Sequence, residues 1–181
     1  MLRWICEEKS MIQSFNGKSP QIGQRVYIAA SAVIIGDVTL EDDCSIWPNV
    51  VIRGDVGAII IGARTNIQDG SVIHVNPQSQ VVIGQDVTLG HMVHLHGATL
   101  HNHVIVGSGS IILDDVVIQS NTMIAAGSLV TPRTQVESLV LMTGSPASVK
   151  RALTEKDIQH IQMNASEYVK LKDVYLKNHS T

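Results

Sequence analysis

The stretch "IGQRVYIAASAVIIGDVTLEDDCSIWPNVVI" at residues 22–52 places a large aliphatic side chain at every sixth position. These aliphatic residues are Ile22, Ile28, Ile34, Leu40, Ile46 and Ile52. An α-helix cannot align a six-residue stripe on one face, because six steps of about 100° do not complete a whole number of turns. Short strands joined by tight turns can align it. The stretch therefore predicts a β-solenoid built on a six-residue repeat.

The same spacing continues through most of the chain, with short offsets between runs. The later repeat positions are Ile61, Ile67, Ile73, Ile83, Leu89, Leu95, Leu100, Val106, Ile112, Ile118, Ile124 and Val130. Repeats of this kind resemble the left-handed parallel β-helix, in which three hexads make one triangular coil. About 18 hexads over residues 22–135 predict roughly six coils, each about 4.8 Å above the last. The predicted fold is an all-β solenoid, and its aliphatic interior explains why only 3% of the residues are aromatic.

The extent of the repeat divides the chain into three predicted segments. They are an N-terminal segment at 1–19, the left-handed β-helix at 20–150, and a C-terminal helix and tail at 151–181. The first ten residues do not match the repeat. Either they form a short surface helix, or the protein truly starts at Met11, and the sequence does not separate these two interpretations.

The end of the repeat is followed by signals for a single helix. The segment "GSPASVKR" at 144–151 predicts a loop, and Thr154 with Asp157 forms a capping box. Apolar residues then recur at helical spacing, which predicts one amphipathic helix over residues 155–177. This helix is expected to lie along the β-helix or across a neighbouring subunit.

Composition excludes several classes of function. A net charge of −3 without a basic stripe argues against nucleic acid as the main partner. No apolar run approaches the roughly 20 residues that a membrane span needs. Cys6 and Cys44 are too few for a disulfide framework, and the N-terminus lacks the apolar run of a signal peptide. These observations predict a cytoplasmic protein with neither a nucleic-acid nor a membrane partner.

Residues 72–109 hold six of the eight histidines of the chain. His74 and His96 each directly follow a repeat position, and they lie one coil of about 18 residues plus a four-residue loop apart. They are therefore predicted to stack in adjacent coils and to point outward, about 4.8 Å apart at the backbone. Two imidazole nitrogens bound to one tetrahedral zinc lie only about 3.3 Å apart, which tilted rings can reach. The pair is a candidate metal site.

His91 lies on the preceding strand of its coil and hence on another face of the prism. It cannot comfortably reach the His74–His96 pair of its own chain, but a neighbouring subunit of a trimer could present it there. The spacing therefore suggests a site with two ligands from one chain and one from the next. An interface cluster without a metal remains open. His94, His101 and His103 fit no shared column.

Charged and polar residues occupy the same columns. Arg53 is predicted to stack beneath His74, and Asp69 beneath His91 with Gln68 beside it. An arginine under one face and an aspartate under the other would meet across the proposed interface. Such a pair serves either a structural or a catalytic purpose, and the structural purpose is at least as well supported.

The motifs "VIRGDV" at 51–56, "GARTNIQDGSVIHV" at 62–75 and "LGHMVHLHG" at 89–97 resemble those of the gamma-class carbonic anhydrases, particularly their bacterial carbonic-anhydrase-like branch. The resemblance covers residues 20 to about 177. It implies a homotrimer that binds zinc, or alternatively iron, cobalt or nickel. Its implied metal ligands are His74 and His96 of one chain and His91 of the next.

The resemblance also implies roles for other residues. Those with implied roles are Arg53, Asp55 and Asp69 in an interface ion-pair network, Gln68 as the residue that orients the attacking water, Asn66 near the site, and Tyr168 from the C-terminal helix. The implied activity is reversible hydration of carbon dioxide to bicarbonate.

The chain departs from the family pattern at the groups that export protons. Val56 stands where the archetypal gamma enzyme carries a glutamate, and the loop at 75–80 has no acidic residue. Slow turnover is therefore expected, with Tyr168 or buffer as substitutes for these carboxylates. Two other functions remain open: a hexapeptide-repeat acyltransferase with a single histidine base, and a non-catalytic metal-binding or assembly subunit.

Overall fold

Three short strands form each turn of the chain, as the six-residue repeat predicts. The structure, a computed structural model, describes residues 11–178. It is a parallel β-solenoid of about seven turns followed by one C-terminal helix, which confirms the predicted fold. Among the described residues, no helix has the length and hydropathy needed to cross a membrane.

Most strands are two or three residues long, and the single helix is the longest element. In chain order they are β1 Met11–Gln13, β2 Gln21–Ile22, β3 Tyr27–Ile28, β4 Val33–Leu40, β5 Ser45–Ile46, β6 Val51–Ile61, β7 Asn66–Ile67, β8 Val72–His74, β9 Val81–Ile83, β10 Thr88–Leu89, β11 His94–His96, β12 Thr99–Leu100, β13 Val104–Val106, β14 Ile111–Ile112, β15 Val117–Ile118, β16 Thr122–Ile124, β17 Leu129–Val130, β18 Gln135–Val136, β19 Val140–Gly144, β20 Ala147–Ala152 and α1 Glu155–Asn178.

Each of the three faces of the prism is a parallel ladder in which corresponding strands of successive turns pair. The first face runs through β1, β4, β6, β8, β11, β14 and β17, and the second through β2, β4, β6, β9, β12, β15 and β18. Strands β4 and β6 bend and contribute to both of these faces. The third face runs from β3 through β5, β7, β10, β13 and β16 to β19.

The repeat positions form the core. Ile34, Ile52, Ile73 and Leu95 stack in successive turns of the first face, and each is fully buried. Each side chain packs on its equivalents above and below, so columns of aliphatic residues fill the triangular interior. This packing explains how a chain poor in aromatic residues builds a continuous core.

The structure corrects two predicted details. Met11–Gln13 pairs in register with Val33, Ile34 and Ile35, so the first face of the solenoid includes residues that precede residue 20. Residues 144–151, predicted as a loop, instead include the turn and return strand of an antiparallel hairpin between β19 and β20. The two interpretations of residues 1–10 fall outside the part of the chain that the structure describes.

The C-terminal helix begins where the capping box predicts. The Thr154 backbone N–H donates to Asp157 Oδ2 at 2.7 Å, and the Asp157 backbone N–H donates to Thr154 Oγ1 at 3.3 Å. The helix packs against the third face of its own chain, where Tyr168 and Tyr175 contact Trp47 edge-on with ring centroids 5.7 and 5.0 Å apart.

A buried lysine holds the C-terminal half of this helix against the solenoid. Lys172 is fully buried, and its Nζ lies 2.9 Å from Asp43 Oδ1 and 2.5 Å from Asp173 Oδ1. Arg25 also binds Asp43 through two hydrogen bonds. The Arg25 guanidinium and then the Lys172 ammonium lower the pKa of the Asp43 carboxyl from 3.8 to about 2. Asp43 therefore remains an anion at neutral pH and holds the helix through Lys172.

Replacing Lys172 by methionine should loosen this end of the helix. The variant keeps the buried apolar stem but removes hydrogen bonds to charged groups, so protection of helix amides from hydrogen exchange should fall by about 1.5–3 kcal/mol. The effect should persist from pH 8 down to about 4 and shrink below, since Asp43 loses its charge only as the pH falls toward 2. Lys170→Met, at an exposed position of the same helix, should change protection by less than about 0.5 kcal/mol. Equal protection in both variants would contradict the assigned role of Lys172.

Candidate metal centre

The solenoid register brings two histidines together on the first face. His74 and His96 are paired residues of the adjacent strands β8 and β11, as their spacing predicts. His74 Nδ1 lies 3.1 Å from His96 Nε2, and the ring centroids are 5.1 Å apart. Nitrogens at two corners of a tetrahedral zinc site lie about 3.3 Å apart. The pair therefore has nearly the separation that one shared cation requires.

The outward-facing nitrogen of each ring is held by a carboxylate. His74 Nε2 lies 3.0 Å from Asp55 Oδ1, and His96 Nδ1 lies 2.6 Å from Asp114 Oδ1. An ionised carboxylate only accepts hydrogen bonds, so each of these ring nitrogens carries the hydrogen. The two nitrogens that face each other, His74 Nδ1 and His96 Nε2, are then left with lone pairs in the neutral rings.

Two lone pairs 3.1 Å apart repel unless a cation lies between them. A proton shared by the two nitrogens or a metal ion bound to both would remove this repulsion. Carboxylate–histidine–metal arrangements with the same polarity are the usual surroundings of histidine ligands. The donor set thus fits a divalent metal that accepts imidazole, such as zinc.

His91 lies in the turn after the third face, away from the pair. Its Nδ1 is 3.0 Å from Asp69 Oδ2 in the turn below, and its side chain is 53% exposed. Within residues 11–178, no three histidine, cysteine, aspartate or glutamate side chains of the single chain are grouped so that they could hold a metal. One chain therefore presents a histidine pair and a separate third histidine on different parts of its surface.

Arg53 lies directly beneath His74 in strand β6, as the coil spacing predicts. Its Nη1 donates to Asp55 Oδ2, while Asp55 Oδ1 holds His74. Asp55 is thus shared between the Arg53 guanidinium and His74. Desolvation raises the pKa of its carboxyl, but the hydrogen bonds of Arg53 and His74 and the charge of Arg53 lower it overall. The Arg53 side chain is still 42% exposed. In the single chain, Arg53 pairs with Asp55 and not with Asp69.

A directed chain of hydrogen bonds starts at Gln68, the residue before Asp69. Gln68 Nε2 donates to Asn66 Oδ1 at 3.1 Å, and Asn66 Nδ2 donates to Thr88 Oγ1 at 2.8 Å. The Thr88 hydroxyl then donates to Asn164 Oδ1 of the helix, also at 2.8 Å. Gln68, Asn66 and Thr88 are all buried. Since each donor fixes the orientation of the next group, Gln68 is held with its Oε1 available as an acceptor.

Tyr168 occupies the same side of the chain. It is half-buried against Trp47, and its pKa is raised mainly by desolvation and then by the negative charge of Asp69. Tyr168 therefore stays protonated at neutral pH and can donate a hydrogen bond, but it cannot accept a proton.

Val56 is 43% exposed and lines a cavity of about 190 Å³ with Asp55 and Asp37.

The sequence motifs do not indicate Asp114, Asn164 or Asn76, whose Nδ2 donates to Asp114 Oδ1 at 2.8 Å. The repeat does not predict the contact of Asp114 because the coil above His96 is one residue shorter than 18. Leu95 pairs with Ile112, so Asp114 lies diagonally from His96 and not directly above it. The contact of Thr88 with Asn164 joins the solenoid to the helix, and no repeat spacing predicts it.

The remaining histidines have other surroundings. The His94 ring lies parallel to that of His96 at 6.2 Å, whereas His103 Nδ1 lies 3.8 Å from Asp86. His101 and His160 are exposed.

Comparison with known proteins supports the resemblance seen in the motifs. A family model described as bacterial transferase hexapeptide (six repeats) matches residues 19–54 and 97–132. Protein YrdA of Escherichia coli (strain K12) is 49% identical over 173 residues, which cover 92% of this chain and 94% of that protein. The carbonic anhydrase of Geobacillus kaustophilus (strain HTA426) is 44% identical over 165 residues and 91% of both chains.

A plant relative and a solved structure extend the comparison. Gamma carbonic anhydrase 2, mitochondrial, of Arabidopsis thaliana is 40% identical over 97% of this chain and 65% of its own length. The crystal structure of a putative acetyltransferase from Bacillus cereus superposes with a TM-score of 0.91 at 39% identity, covering 92% of this chain and 97% of that one. The chain belongs to the gamma-class carbonic anhydrase family of hexapeptide-repeat proteins.

Proposed function

We propose that this protein is a homotrimer that binds one divalent metal ion at each subunit interface and catalyses reversible hydration of carbon dioxide. The proposed ligands are His74 and His96 of one subunit and His91 of its neighbour, with zinc as the metal and iron, cobalt or nickel as alternatives. The observation that carries the proposal is the facing pair of nitrogens, His74 Nδ1 and His96 Nε2, 3.1 Å apart.

The distribution of the polar groups supports a shared site. One part of the chain carries the histidine pair with Asp55 and Arg53, and another carries His91 with Asp69 and Gln68. A rotational trimer apposes two different surfaces of identical subunits, so each interface can combine one part of each kind. In this arrangement the exposed Arg53 guanidinium is available to pair across the interface with Asp69.

When bound, a cation held by three neutral imidazoles supplies the Lewis acidity that activates water for attack on carbon dioxide. Gln68 is suited to orient that water, because its amide N–H is engaged by Asn66 while Oε1 can accept an O–H. A fixed acceptor directs a lone pair of the water toward the carbon atom of the substrate. Asp55 and Asp114 hold the two paired rings in the tautomers that bind a metal.

Proton export is the weak step of this proposed mechanism. Val56 offers no proton acceptor, and the pKa of Tyr168 is raised, so the phenol does not take up the proton at neutral pH. The loop at 75–80 contains no carboxylate. Buffer molecules must therefore remove the proton, and we infer slow turnover in weak buffer.

Acyl transfer is the second candidate function. The matched family model and the Bacillus cereus structure both carry transferase names, and the fold is common to both activities. Acyl transfer by a single histidine base requires no second imidazole, so it leaves the His74–His96 contact unexplained. A non-catalytic metal-binding subunit would keep the metal without the hydration activity. Binding of acetyl-CoA would favour the transferase.

We also propose a reducing, cytoplasmic setting, because two cysteines are too few for a disulfide framework. Cys44 is a free thiol in the solenoid core, and desolvation raises its pKa from 9.0 to about 12. A buried thiol of this kind neither forms a disulfide nor reacts readily.

Metal content provides the first test. His96→Ala should lose nearly all bound metal while keeping the circular dichroism spectrum of the solenoid, because the side chain points out of the core. His101→Ala, an exposed histidine that follows the next strand of the same coil, should retain the metal at about one ion per subunit, the full complement of one site per chain. Elemental analysis of protein purified without oxygen gives the result. Full occupancy in His96→Ala would place the metal elsewhere.

The rate of hydration provides the second test. Val56→Glu restores a proton acceptor beside the site, so the maximal rate should rise more than kcat/KM, since proton export follows the chemical step. Val56→Gln is the matched control, with similar size and no basic carboxylate, and should leave the maximal rate unchanged. Imidazole buffer should accelerate the unmodified protein. Background hydration by a metal-loaded, folded Val56→Glu in every buffer would rule out the carbonic anhydrase proposal.

A further inference from the structure

We propose that Asp114 is a positioning residue that fixes the orientation and tautomer of His96 for metal binding. This inference rests on the proposed metal site and extends it to a residue outside the three candidate ligands. Its basis is the short contact of 2.6 Å between His96 Nδ1 and Asp114 Oδ1. Charge-assisted hydrogen bonds of this length are stronger than neutral ones.

The Asp114 carboxylate is itself held in place. Asn76 Nδ2 donates to the same oxygen, Asp114 Oδ1, at 2.8 Å. An ionised carboxylate carries no hydrogen, so Asp114 accepts both from the Asn76 amide and from His96 Nδ1. The direction of the hydrogen bond from His96 follows, and the lone pair of that ring stays on Nε2, where it faces His74.

Gly97 provides the space that this contact requires. It has a φ of +57°, and a Cβ at this position would collide with Asp114 Oδ1. A glycine directly after His96 thus allows both the turn of the backbone and the close approach of the carboxylate. Any larger residue would push Asp114 away from the imidazole.

The loop between His74 and the next strand supplies the residue that holds Asp114. Asn76 lies two residues after His74 and spans the coil of His96 to reach Asp114 in the coil beyond. One side chain therefore ties together the three coils that carry His74, His96 and Asp114. The loop at 75–80 therefore supplies the Asn76 amide, which orients the Asp114 carboxylate. It does not supply a group that exports protons.

Each of the paired histidines is thus hydrogen-bonded to a carboxylate, and the two carboxylates lie on opposite sides of the pair. Asp55 holds His74 from the coil below, and Asp114 holds His96 from the coil above. Asp55 also binds Arg53, which belongs to the proposed interface network. Removal of Asp114 perturbs the histidine pair without removing a residue of that network, so its effect on metal binding can be measured separately from assembly.

Metal affinity tests the inference with three variants of the full-length protein. Asp114→Ala should weaken zinc binding about ten- to a hundred-fold, measured by competition with a chelator, as loss of a carboxylate behind a histidine ligand does elsewhere. Asp114→Asn can still accept from His96 Nδ1 and should lose less. Asp115→Asn removes the same charge one residue away and should bind zinc as tightly as the unmodified protein.

Nitrogen-15 NMR of the metal-free protein tests the tautomer independently of activity. In the unmodified protein and in Asp114→Asn, His96 should carry its hydrogen on Nδ1, whereas Asp114→Ala should populate the Nε2-protonated form. If zinc binds and Asp114→Ala keeps both the affinity and the Nδ1–H tautomer, Asp114 is not a positioning residue and the metal proposal stands. If the unmodified protein binds no metal, the proposed function fails, and the tautomer of His96 in Asp114→Ala still decides the role of Asp114.

Discussion

The stacking of parallel strands in fixed register is the constraint on which the rest of this structure depends. Strands about 4.8 Å apart place equivalent residues of successive coils directly above one another. Inside the prism, this produces the aliphatic columns of the core. Outside it, the same register puts His96 above His74 and both above Arg53. A polar column on such a surface needs no loop to assemble it, because the backbone ladder already fixes the spacing of the side chains.

Two carboxylates determine which nitrogens of the paired histidines carry hydrogens. Asp55 and Asp114 take the outer hydrogens of the paired rings, and the inner nitrogens are left facing each other at 3.1 Å. A shared proton or a bound metal ion would remove the repulsion between these two nitrogens. On the other part of the chain, the hydrogen bonds from Gln68 through Asn66 and Thr88 end on Asn164, so the helix steadies a side chain far from it in sequence. The buried pair of Lys172 and Asp43 keeps that helix in place.

The coil arithmetic predicts those features that follow the repeat. The strands, the histidine pair, the position of Arg53 and the separation of His91 all follow from counting residues per turn. The first turn at Met11 was missed because its sequence lacks the repeat, although its backbone still pairs with Val33. Asp114 was missed because a shortened coil shifts it by one position, and side-chain contacts that cross between columns leave no period in the sequence. The roles of Gln68 and Tyr168 came from family resemblance, since spacing alone gives no chemistry.

Mixed trimers distinguish a metal site shared between two subunits from a site built by a single chain. Homotrimers of the His91→Ala variant and homotrimers of the His96→Ala variant should each bind no metal. Subunits of the two variants, carrying different tags, can then be assembled into mixed trimers. In a mixed trimer, one interface joins the intact pair of a His91→Ala subunit to the intact His91 of a His96→Ala subunit. Purified mixed trimers should regain a single metal ion, together with hydration activity. Mixed trimers that remain as empty as the parent variants would exclude a site shared between subunits.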